Sequence, residues 1–266
     1  MEGTLSAVDG GCIVLPRRMT GVFMFTRIGI CASLLLFANV SLAHANFLTN
    51  GGLEKDSTPL DQWGMVTCTP SSNSSALPGW TITSGCIDIV PSSYWQVSQG
   101  SDSVDLIGTP GLGAIAQSVT TTANTAYTLT FDFAANPQAG ALGEAGTTKQ
   151  LLVEALAADG TTVVASQTYQ LTVGTRTISN MQYTANSFDF TTPNSINGNQ
   201  TTIRLSALTP LNLPSGATSS NVRTGPVVDN LNLILSGGSN PSPEPASLGV
   251  LTLGATALLL RRHRAR

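Results

Sequence analysis

Apolar and polar residues alternate with a period of two along much of the chain between residues 87 and 235. In Tyr127 to Phe133, Tyr127, Leu129, Phe131 and Phe133 share one side of an extended backbone. Thr128, Thr130 and Asp132 take the other, the pattern of a strand with one face buried. Gln150 to Ala157, Thr168 to Val173, Ser187 to Phe190, Thr201 to Leu208 and Val227 to Leu235 repeat it, and Ile87-Asp88-Ile89 and Val104 to Ile107 add shorter pieces. Turn chemistry separates them at Thr109-Pro110-Gly111, Asn136-Pro137, Asp159-Gly160, Asn197-Gly198 and Pro214-Ser215-Gly216. No long amphipathic helix interrupts the series. About eight to ten short strands predict an all-β protein, a single antiparallel β-sandwich of jelly-roll type spanning residues 46–235.

The two ends break the alternation. Arg17, Arg18 and Arg27 precede the apolar run Ile28 to Val40, which leads into Leu42-Ala43-His44-Ala45. A basic region, a short apolar core and an Ala-x-Ala site predict a secretory signal peptide over residues 1–45, cut between Ala45 and Asn46. Met19 or Met24 would begin a signal of ordinary length. At the other end, residues 236–242 form a Gly/Ser/Asn linker. Residues 243–266 then run through Pro243-Glu244-Pro245, the apolar stretch Ala246 to Leu260 and the basic residues Arg261, Arg262 and Arg264. The apolar stretch predicts a short hydrophobic helix, brief for a full membrane span, with its arginines held cytoplasmic. This three-part tail resembles the PEP-CTERM sorting signal of Gram-negative bacteria. The resemblance implies an exosortase acting at Pro243-Glu244-Pro245, transient residence of the tail in the inner membrane, and delivery of the body to the cell surface, outer envelope or extracellular matrix.

Export changes which chemistry remains. His44 and His263 are the only histidines, and both lie in the terminal segments. The body between them therefore lacks the imidazole that a Ser-His-Asp or Cys-His hydrolase, or a histidine-bound metal centre, requires. Of the four cysteines, Cys12 and Cys31 leave with the signal. Cys68 and Cys86 remain as the one pair available for a disulfide, closing a loop of about 19 residues worth roughly 3 kcal/mol. The body carries five basic residues against 12 carboxylates, a net charge of about −7 that opposes nucleic acid as a partner.

A second resemblance spans the body. Asn50-Gly51-Gly52-Leu53-Glu54, Leu77-Pro78-Gly79-Trp80, Ile87 to Val90, Tyr94-Trp95-Gln96, Ser103 to Leu106, Ala114 to Val119, Tyr127 to Ala134 and Gly225 to Asn230 stand in the order of the choice-of-anchor C family. Its domain is similar to a plant cell-wall domain of unknown function and to galactose-binding-like jelly rolls, which implies a carbohydrate-associated surface role. Family 4 and family 22 carbohydrate-binding modules, on a similar fold, hold a structural calcium with an early Glu and a late Asp. By that resemblance Glu54 and Asp229 would be its ligands, the alternative being that Asp229 caps backbone N–H groups or pairs with Arg. Asp229 shares parity with Leu231, Leu233 and Leu235, so the alternation points it into the sandwich. Trp95 and Tyr94 are candidate sugar-stacking residues, while Trp80 beside Pro78-Gly79 suits the core.

Glycoside hydrolysis by two carboxylates needs no histidine, and Asp88, Asp102, Asp105 and Glu154 are its candidates. Nothing in their spacing brings two of them together. The expected function is a non-catalytic protein that associates with extracellular polysaccharide or envelope glycan. The alternatives are a structural or adhesive protein with a protein partner, and a weak glycan-acting hydrolase.

Overall fold

The computed structural model describes residues 45–108, 111–194, 199–218 and 222–236. Pro243, Glu244, Pro245, Arg261, Arg262, Arg264 and residues 1–44 lie outside them. Among the described residues no helix is long and apolar enough to cross a membrane.

Eleven strands form among the described residues: β1 (Val66–Cys68), β2 (Thr81–Ser84), β3 (Ile87–Pro91), β4 (Asp102–Asp105), β5 (Ala114–Thr120), β6 (Ala126–Ala135), β7 (Thr148–Leu156), β8 (Val163–Thr172), β9 (Thr184–Thr191), β10 (Gln200–Leu211) and β11 (Pro226–Leu235). They pair antiparallel into a six-stranded sheet, β1-β3-β4-β11-β6-β9, and a five-stranded sheet, β2-β5-β10-β7-β8. The fold is the all-β jelly-roll sandwich that the alternation predicts. Tyr127, Leu129, Phe131 and Phe133 of β6 enter one core with Leu151, Val153 and Ala155 of β7 and Ile203, Leu205 and Ala207 of β10. Burying such side chains from both inner faces is what holds two twisted sheets together.

The first described residues are tied to the last strand. Asn46 Nδ2 donates to Leu231 O at 2.9 Å, Leu233 N donates to Asn46 Oδ1 at 2.9 Å, and Phe47 N donates to Leu233 O at 2.9 Å.

β11 departs from its sequence pattern at one point. Its pairing with β6 runs from Pro226↔Ala135 to Asp229↔Asp132, slips, and resumes at Asn232↔Thr130. Asn230 sits in the slip with φ +53°, a left-handed conformation that Asn tolerates better than most residues. The extra residue reverses the parity. Val228 is in the main core and so are Leu231 and Leu233, which leaves Asp229 on the outer face beside Asp132. The inward Asp229 read from the alternation is therefore corrected: the side chain is fully buried, but beneath a loop outside the sheet.

That loop makes a second, smaller core. Residues 92–101 and 177–183 lie over the outer face of the six-stranded sheet, where Trp95 and Met181 pack with Val90, Ala134 and Val227.

Candidate functional site

A cleft of about 670 Å³ opens beside this roof, and Trp63, Tyr94, Met65 and Leu142 give it apolar walls. Its most exposed aromatic is set there by a turn. Asp61 Oδ1 accepts from Trp63 N at 2.8 Å and from Met65 N at 3.3 Å, and Asp61 N donates to Met65 O at 2.7 Å. Gly64, at φ +82°, closes the turn by donating to Asp61 O, a conformation a side chain at that position would strain. Short polar side chains that bond their own backbone make such turns. Here the result is a Trp63 ring left 69% exposed.

Also lining the cleft, Tyr94 donates through Oη to Gln138 Oε1 at 3.0 Å. Gln138 belongs to a 3-10 turn, Pro137–Ala139, capped by Asn136, whose Oδ1 accepts from Gln138 N. Arg223 supplies the cleft's cation, and its backbone N donates to Glu144 Oε1 at 2.9 Å. Glu144 also takes Lys149 Nζ at 2.9 Å and the Thr224 hydroxyl, inside the protein where Lys149 has no exposed surface. Burial lowers the Lys149 pKa, opposed by Glu144.

Two carboxylates stand in the cleft and beneath it. The Thr67 hydroxyl donates to Asp88 Oδ1 at 2.7 Å and lies 3.3 Å from Asp61 Oδ2. Burial pushes Asp88 up to about 6, opposed by the Thr67 bond, with Asp61 raising it further. A pocket of about 50 Å³ below the cleft is lined by Asp88, Asp105, Trp95 and Arg223 among others. Asp105 is committed structurally: it accepts from Ile107 N, Asn136 Nδ2 and Gly225 N, and burial still raises it to about 7.

The sequence candidates divide sharply. Tyr94 lines the cleft. Trp95 does not: it is 3% exposed and its indole N–H donates to Ser103 Oγ at 2.9 Å, so no sugar can stack on it. Trp80 is in the core, its N–H on Asn50 O. Glu154 is taken by Arg204 at 2.7 Å on neighbouring strands of the other sheet. Cys68 and Cys86 are buried, and the expected disulfide is not formed in this structure. Cys68 is opposite Ile87 in the β1–β3 register, and the thiols donate to Val66 O and Ile87 O respectively. Burial pushes the Cys68 thiol up to about 12.

Asp229 and Glu54 both serve the 98–101 loop. Asp229 Oδ2 accepts from Ser98 N at 2.8 Å and Gln99 N at 2.9 Å, and Oδ1 accepts from Asn230 N at 2.6 Å. Burial nevertheless raises it to about 7. Both Glu54 oxygens accept from Ser101 N. Gly100 packs so closely that a Cβ there would meet Glu54 Oε1 at 1.7 Å. Backbone amides thus cap both Asp229 and Glu54, and a calcium ion bridging the two carboxylates would have to use the lone pairs those amides leave. Asp102 is buried with Oδ1 unpartnered, and its carboxylate lies against that of Glu54, raising the Glu54 pKa behind the larger effect of burial. Among the described residues no group of three or more His, Cys, Asp or Glu side chains converges.

Residues 46–234 match the family described as "Protein of unknown function (DUF642)". The chain belongs to the DUF642 family. Its DUF642 region covers the whole sandwich and the cleft. No curated protein matches the chain. Three solved structures are similar to it at low identity. "CBM4 structure and function" is 14% identical, with 70% of this chain and 99% of that chain covered and a TM-score of 0.37. "Structure of TmCBM61 in complex with beta-1,4-galactotriose" is 12% identical, with 72% and 99% covered and a TM-score of 0.38. "Family 16 Carbohydrate Binding Module-2" is 18% identical, with 71% and 99% covered and a TM-score of 0.38.

Trp63 and Arg223 were not legible as site residues. Trp63 carries a signal in retrospect, the Asp61-x-Trp63-Gly64 spacing of an Asx turn. Arg223 carries none.

Proposed function

We propose that this DUF642 protein is an exported, surface-sorted, non-catalytic protein that binds extracellular polysaccharide or envelope glycan in the cleft between Trp63 and Tyr94. The observation that carries the reading is the exposed Trp63 ring, fixed by its Asp61 turn beside a cleft with both apolar walls and hydrogen-bonding groups. A pyranose ring has an apolar face for an indole and hydroxyls for the polar groups around it, the mix expected of a small-molecule site. The signal peptide, the choice-of-anchor C resemblance and the PEP-CTERM tail place the site outside the inner membrane in this reading, with exosortase as the processing partner. Intact mass of the protein recovered from its host tests both cuts; a full-length cytosolic form overturns export.

The reading includes a structural calcium held by Glu54 and Asp102, supported by the unpartnered Asp102 oxygen. Bound there, a calcium ion would neutralise the facing carboxylates of Glu54 and Asp102.

Glycan binding is tested by retardation of the chain in gels cast with polysaccharides. Trp63→Ala is expected to abolish retardation while leaving the melting temperature near that of the parent. Undiminished retardation by the variant overturns the cleft as the site.

A further inference from the structure

We infer that the cleft accepts uncharged glycan chains and rejects polyuronates, with Asp61 and Asp88 setting that choice. The inference rests on the glycan reading of the cleft and adds the class of ligand.

The hydrogen-bonding groups of the cleft are unbalanced in a way that suits hydroxyls. Asp61 and Asp88 both lie against one donor, the Thr67 hydroxyl, and a single hydroxyl proton cannot serve two carboxylates at once. One of them is therefore left with acceptor capacity whichever way the proton turns. Sugar hydroxyls supply the missing donors; a uronate carries an acceptor-only carboxylate where a neutral sugar carries a hydroxymethyl donor.

Charge points the same way. Beside the Tyr94 phenol, the acidic and basic groups facing this region are Asp61 and Arg223 in the cleft, and Asp88 and Asp105 beneath it. Glu144, behind Arg223, is already matched by Lys149. Asp105 is already spent on three N–H donors, so Arg223 is left with Asp61 in the cleft and Asp88 beneath it. Asp61 acts on Asp88 across Thr67, and the upward displacement of the Asp88 pKa includes that like-charge effect behind burial. A further carboxylate brought in by the ligand meets the same repulsion, and like charges held close discriminate strongly against the wrong partner. The body's surplus of acidic residues adds a longer-range field of the same sign.

The test compares retardation of the full chain in gels of neutral polymers (a β-glucan, a β-galactan and a mannan) with gels of polygalacturonate and alginate. The parent protein is expected to be retarded more by at least one neutral polymer than by either polyuronate. Asp61→Asn, at an exposed position, is expected to raise the ratio of polyuronate to neutral affinity about tenfold. Asp88→Asn added to it raises the ratio further where the double variant folds. Retardation of the parent by a polyuronate more than by any neutral polymer overturns the inference, as does an unchanged ratio in Asp61→Asn. Retardation by no polymer at all overturns the parent glycan reading, a result distinct from either.

Discussion

Asp88 and Asp105 stand directly opposite each other across β3 and β4, both buried and both on the outer face of the six-stranded sheet. Paired carboxylates in this position give stability a specific dependence on pH. Burial raises Asp88 to about 6 and Asp105 to about 7, from an ordinary value of 3.8, and Asp229 likewise to about 7. Between 3.8 and those values the folded protein binds more protons than the unfolded chain. The favourable contribution is therefore present in mild acid and is lost as pH rises through 6 to 7. Melting temperature is expected to fall from pH 5 to pH 8, and to fall less in Asp88→Asn, whose amide oxygen can still accept from Thr67. A melting temperature that climbs over that interval would contradict the assignment.

Lys149 sits inside the sandwich with Glu144 and Thr224 as partners. Removing one member of a buried ion pair strands the other. Lys149→Met is expected to cost about 3 kcal/mol or more in urea denaturation. Adding Glu144→Gln should recover part of that loss, and a double variant no more stable than the single would argue against a coupled pair.

Trp95 and Trp63 should respond oppositely. Trp95→Ala empties the small outer core and removes an indole bonded to Ser103, with an expected loss of about 3 to 5 kcal/mol. Trp63→Ala, at an exposed position, is expected to stay within about 0.5 kcal/mol of the parent. Denaturant midpoints for the two variants distinguish these roles without any ligand.

Calcium added to chelator-treated protein is expected to raise the melting temperature, since a cation bound only by the folded state stabilises it by mass action. Asp102→Asn should blunt the effect and Asp229→Asn should not, because Asp102 keeps a buried oxygen without a hydrogen-bond donor while both Asp229 oxygens accept from backbone amides. Equal loss in both variants would return the ion to Glu54 and Asp229.

The sandwich was readable because its long strands carry their period openly: β6 alternates through Phe133 and β10 through Leu208, and their inward residues are the core. What escaped was local. β1 and β2, of three and four residues, are too short for a period to register. Asp229 was assigned to the wrong face because one left-handed asparagine, Asn230, slips the register of β11, and a slip of one residue reverses every side chain after it. Tyr94 lines the cleft and Trp95 is buried, because a covering loop decides which neighbour of an adjacent pair turns inward. Trp63 was missed because its exposure comes from hydrogen bonds within a turn, which hydropathy does not record.

Asn46 clasps β11 through both its amide nitrogen and its carbonyl oxygen, so the sandwich begins and ends on the same strand. Joining residues 46 and 235 by a short linker and reopening the backbone at the Asp159-Gly160 hairpin should give a circular permutant with the same core and an unaltered cleft. Such a module could be inserted into a surface loop of a carrier as readily as it could be hung from a tail.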